Sequence, residues 1–97
     1  NDATAIHVAR WCVARCLRSL GSVDEALAIQ RELETEIGSV DCETGYTYEE
    51  IAECLHELGD TAAAQPYFKR AFEALAADAW LAESEPERIE RLRRLGE

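Results

Sequence analysis

Two stretches of this 97-residue chain put chemistry-bearing side chains at helical spacing. Cys12 and Cys16 stand four residues apart, so on a helix both thiols share one face and together could hold Zn²⁺. A tetrahedral site needs a second pair, and Cys42 and Cys54 do not supply one at short spacing. Glu53-x-x-His56 has the carboxylate–histidine spacing of di-iron helical bundles. Such a site needs a second copy of the motif, and 38 residues upstream stand Arg15 and Arg18 instead. The thiols therefore read as reduced, partly buried small hydrophobes, and Glu53 and His56 as an exposed polar face. There is no Gly-rich phosphate loop, nucleophile elbow or His-Glu-x-x-His motif. The expectation is a protein that is not an enzyme and uses no metal and no cofactor.

Charge and length narrow the partners. Twenty acidic residues against ten basic ones give a net charge of −10 and a pI near 4.6, the opposite of a nucleic-acid-binding footprint. The longest uncharged run, Thr61 to Phe68, falls far short of the roughly 20 apolar residues of a membrane span. At 47% hydrophobic the chain is too apolar for a disordered acidic tail. The expectation is one folded, cytoplasmic domain with no nucleic-acid and no membrane partner. The chain has no Met, even at position 1, which predicts a fragment or processed form of a longer protein.

Helix signals dominate. Asp2 caps a predicted helix over Ala3–Leu20 that stops at Gly21. Ser22 and Glu25 form a capping box for a second helix to Ile37, closed by Gly38. Ser39 to Tyr46 reads as a loop. Thr47 and Glu50 form another box, opening a helix to Leu58 and Gly59. Asp60 starts a fourth helix to Ala77, with exposed Pro66 accommodated by a bend near Ala62. Ser84, Glu85 and Pro86 start a fifth, ending at Leu95. Ile6, Val13, Leu17 and Leu20 recur at helical intervals, as do Ala26, Ile29, Leu33 and Ile37, then Ile51, Leu55 and Leu58, and then Ala64, Phe68, Ala71 and Leu75. The fold class is all-α, built from antiparallel hairpins.

The hairpins repeat. Ala14, Cys16, Leu17, Leu20 and Gly21 reappear as Ala52, Cys54, Leu55, Leu58 and Gly59, and Ala26 as Ala64, all at an offset of 38. The small residues permit close helix approach, and each Gly permits a left-handed turn. This pattern resembles the tetratricopeptide repeat (TPR) family, and more narrowly the C-terminal part of a bacterial TPR protein. Ala14, Leu17, Gly21, Ala26 and Leu33 match the first repeat, and Ala52, Leu55, Gly59, Ala64, Phe68 and Ala71 the second. The resemblance covers about Val8 to Ala77 and implies a right-handed superhelix in one domain, residues 1–97. Repeat 1 would span 3–37, repeat 2 47–77 and a polar capping helix 85–95, with Trp80 and Leu81 anchoring the connection. The period exceeds the family's usual 34 residues by four, most simply in the Gly38–Tyr46 loop. Gln30 also stands where a bulky apolar residue is expected.

The resemblance further implies that the first helices of the repeats line a concave groove. Trp11, Arg15 and Arg18 would then lie beside Glu49, Glu53, His56 and Glu57. Glu49, Glu53 and Glu57 form one self-repelling stripe, so Arg15 is expected to pair with Glu53 or Glu49, and a basic or mixed-charge peptide to cover the rest. Trp11 would be the anchor. The family's chaperone-tail binders clamp a terminal carboxylate with Lys, Arg and Asn, a pattern from which the acidic second repeat departs. The expected function is a non-catalytic scaffold that binds a protein or peptide segment. Its alternatives are a homodimer paired through the first helix and a regulatory segment of a longer enzyme or sensor.

Overall fold

The computed structural model describes residues 2–37 and 44–97. These form six α-helices and no β-strand: α1 (Asp2–Ser19), α2 (Val23–Glu34), α3 (Thr44–Glu57), α4 (Thr61–Leu75), α5 (Ala79–Ser84) and α6 (Pro86–Leu95). None is long and apolar enough to cross a membrane. Cys42 and the start of the expected loop lie outside the described residues.

α1 packs on α2, α2 on α3 and α3 on α4, whereas α4 skips the short α5 and packs on α6. The two hairpin turns are built alike. Gly21 and Gly59 are left-handed, at φ +90° and +84°. Ser22 and Asp60 each donate a backbone N–H five residues back, to Leu17 and Leu55 at 2.9 Å. Gly21 and Gly59 donate to Arg18 and His56 at 3.1 Å. Both turns are thus Schellman motifs, in which the glycine removes the steric cost that a Cβ would add. Ala14, Ala52, Ala26 and Ala64 are buried where the helices of each hairpin approach.

The main core belongs to the second hairpin and the C-terminal helices: Ile51, Leu55, Phe68, Leu75, Leu81 and Leu92 are buried together. Ile89 and Leu95 pack against them, as the amphipathic spacing of α6 requires. Gly96 closes α6 so tightly on α4 that a Cβ there would come within 2.8 Å of the Lys69 backbone.

Several local expectations are corrected. Ser22 makes no side-chain cap bond, whereas Asp60 accepts from the Ala63 N–H at 3.1 Å. α3 begins at Thr44, three residues before the expected start. Thr47 is therefore buried inside it, and Glu50 is free to leave the helix end and bind cations elsewhere. Asp78 caps an additional short helix, α5, by accepting from Trp80 and Leu81 N–H. Of the two expected anchors, Leu81 is buried and Trp80 is 70% exposed. Pro66 sits exposed within an α4 assigned as one helix.

Candidate functional site: an ionic groove between α1, α3 and α6

A groove of about 600 Å³ runs between α1, α3 and α6. α1 contributes Trp11, Arg15 and Arg18, spaced so that all three emerge on one side of the helix. α3 contributes Glu49, Glu50 and Glu53. α6 contributes Arg88 and Arg91, with Glu85 and Glu87 at the rim. The structure thus brings together Trp11, Arg15, Arg18, Glu49 and Glu53 of the seven residues singled out. Glu57 is joined to them through Arg18. His56 is not: its ring meets the edge of Phe68, centroids 5.9 Å apart, one turn away.

The pairing differs from expectation. Arg15 pairs with neither Glu49 nor Glu53; its Nε lies 3.6 Å from Glu50. Arg18 donates to both oxygens of Glu50 at 2.8 and 3.1 Å, and to Glu57 at 3.0 Å. Burial alone would lower the Arg18 pKa, but the bonds and charges of Glu50 and Glu57 outweigh it and raise it above its ordinary value. Glu49 is bound by Arg88, whose Nε donates at 2.9 Å and whose Nη2 also donates. That bond to Glu49 is the largest cause of the raised Arg88 pKa. Arg91 binds Glu53. The acidic stripe on α3 is therefore neutralised from both flanks, by α1 and by α6.

Aromatic rings set the positions of these charges. The Trp11 indole N–H donates to the Tyr46 carbonyl at 3.3 Å, and its ring meets the Tyr46 ring edge-on at 6.2 Å. The Arg88 guanidinium lies 5.5 Å from the Tyr46 ring, and that of Arg91 5.7 Å from the Phe68 ring. Cation–π contact of this kind orients a planar guanidinium while leaving its edge donors for a carboxylate. Glu50, Arg88, Arg91 and Tyr46 are members of the site that sequence reasoning did not single out. Two signals pointed to them: Arg88 and Arg91 share an i, i+3 face of the last helix, and Glu50 lies next to the acidic stripe.

The cysteines divide. Cys12, Cys16 and Cys54 carry free thiols. Cys54 is buried as expected, and burial, then the charge of Glu50, pushes its thiol up to about 12. Cys12 and Cys16 are exposed, against the expectation of burial, because the face of α1 that carries them has no neighbour among the described residues. No group of three or more metal-ligating side chains gathers among the described residues.

No protein-family model, curated protein or solved structure matches the chain.

Proposed function

We propose that this is a non-catalytic protein–protein interaction module of TPR-like, right-handed architecture, holding a peptide or protein segment in the groove between α1, α3 and α6. The observation that carries this reading is the half-buried Trp11 ringed by charges of both signs from three separate helices. Repeated Schellman turns at Gly21 and Gly59, and the buried alanines at the repeat's small positions, support the TPR-like part. The groove's carboxylates are the groups that would do acid–base chemistry, and Glu49, Glu50 and Glu53 are each bound to guanidinium groups. They serve as a recognition surface. The groove carries side chains of both signs around Trp11, so a segment of mixed charge fits it best. A cytoplasmic setting suits the exposed free thiols of Cys12 and Cys16.

The test is selection of peptide ligands from a displayed library, followed by titration of a selected peptide into labelled protein. The expected ligands contain Arg or Lys and shift the indole N–H resonance of Trp11. A Trp11→Ala, Glu53→Ala double variant is expected to bind at least about tenfold more weakly with helicity unchanged, as befits loss of an anchor. Unaltered binding by that variant overturns the reading.

A further inference from the structure

The charges of the groove are not equally free to recognise a partner. Its floor is the α3 stripe, where the Glu49, Glu50 and Glu53 side chains are only 7%, 4% and 15% exposed. Each is bound by a guanidinium, from Arg88, Arg18 and Arg91 in turn. A partner's cation could reach one of these carboxylates only by displacing its arginine, which would leave that arginine's own charge unpaired. The floor therefore supplies shape, and recognition falls to the charges that the groove leaves uncancelled.

Among the described residues two such charges line it, one on each lip. Arg15 stands on the α1 lip, its side chain 43% exposed. Its Nε lies 3.6 Å from Glu50, beyond hydrogen-bond distance, and both Glu50 oxygens already accept from Arg18. Its Nη1 donates to the Ser19 hydroxyl of its own helix, which satisfies a donor without cancelling a charge. Glu87 stands exposed on the α6 lip and has no ion pair among the described residues. Its neighbour Glu85 differs, since Arg88 Nη1 lies 3.1 Å from it. Trp11 precedes Arg15 by four residues, so the two side chains adjoin on one face of α1.

We propose, on the strength of the peptide-groove function proposed above, that the bound segment carries an acidic side chain that pairs with Arg15 and a basic one that pairs with Glu87. The segment lies across the groove with its acidic end over α1, beside Trp11, and its basic end over α6. Like charge rejects the alternatives. A wholly basic segment meets Arg15 on one lip, and a wholly acidic one meets Glu85 and Glu87 on the other. A segment of balanced charge is also the kind that a chain of net charge −10 neither draws in nor repels as a whole.

The test starts from peptides selected on the whole chain from a displayed library, keeping those that shift the Trp11 indole resonance. Each is resynthesised with its acid changed to the matching amide, or its base to Gln, and titrated into wild type, Arg15→Gln and Glu87→Gln. Neither side chain is buried, so both variants should keep the wild-type helical spectrum. Removing the peptide's acid should weaken binding to wild type about two- to fivefold, the scale of a partly exposed ion pair, and leave binding to Arg15→Gln unchanged. Removing its base should do the same to wild type and leave binding to Glu87→Gln unchanged. Groove-binding peptides that carry one sign of charge only overturn this assignment and leave the groove function standing. So do losses of equal size in wild type and in the variants. Failure to obtain any peptide that shifts Trp11 overturns the groove function, and the charge assignment with it.

Discussion

The two hairpins share a turn, a cap position and a set of small residues, yet they bury their side chains very differently. Val13 is 56% exposed and its equivalent, Ile51, is 0%. Cys16 is exposed and Cys54 buried. Gln30 occupies the place that Phe68 fills in the second hairpin. Phe68 sits at the centre of the core between His56 and Arg91. Gln30 is equally buried, at 1% exposure, but neither amide atom has a hydrogen-bond partner among the described residues. Since α2 packs on α1 as α4 packs on α3, the differences come from neighbours that only the second hairpin has. α3 is flanked by α1 and α2 on one side and reached by α6 on the other; among the described residues α1 has neighbours on one side only. Identical local signals therefore yield a well-filled core in one hairpin and a marginal one, with an apolar outer face, in the other.

Substitutions at equivalent positions sharpen this contrast. The largest effect is expected from Phe68→Ala, which should cost about 4 kcal/mol in urea unfolding because it empties the middle of the core. A loss below about 1 kcal/mol would remove the claim that the second hairpin carries the stability. Arg18→Ala should cost about 3 kcal/mol, since it leaves the buried Glu50 carboxylate with only the more distant Arg15. The accompanying Glu50→Gln change should recover part of that loss. Gln30→Leu should stabilise by about 1–2 kcal/mol, because it replaces a buried amide that has no partner by an apolar group of similar size. No gain would mean that the first hairpin already satisfies this amide.

Burial of the Cys54 thiol in the second hairpin makes its stability depend on alkaline pH. The folded state holds the Cys54 proton up to about 12, against an ordinary value of 9.0. The unfolded chain then binds fewer protons across this window, so stability falls as pH rises from about 9 to 12. The fall should be shallower in Cys54→Ala. The smallest contrast lies at the caps. Asp60→Ala should cost about 1 kcal/mol, and Ser22→Ala close to nothing, because only Asp60 caps through its side chain. Equal costs would show that both hairpins use the same cap in solution.

Much of the scaffold was legible from residues alone. Gly21 and Gly59 marked both hairpin turns, Pro86 the start of α6, and Ala14 and Ala52 the buried contacts. These are local effects: backbone freedom, a missing N–H and side-chain size act within a few residues. α5 escaped notice because six residues carry no periodicity, and its cap, Asp78, looks like any surface acid. The start of α3 was misplaced because Thr47 and Glu50 have capping-box spacing, a pattern that tertiary burial overrides. The groove was legible only by half. Trp11, Arg15, Arg18, Glu49 and Glu53 were placed together through the repeat, but Arg88 and Arg91 enter from a helix about 40 residues away in sequence.

By itself the sequence determined the helix-turn-helix repeat, the acidic stripe of Glu49, Glu53 and Glu57 and the order of the helices along the chain. Each follows from interactions between residues near in the chain. Only the tertiary structure decided which carboxylate each arginine binds, and that the apolar side of α1 faces solvent while its cations turn inward. Both depend on which helices flank a given face, and a periodic pattern is the same whether or not a neighbour is there to cover it.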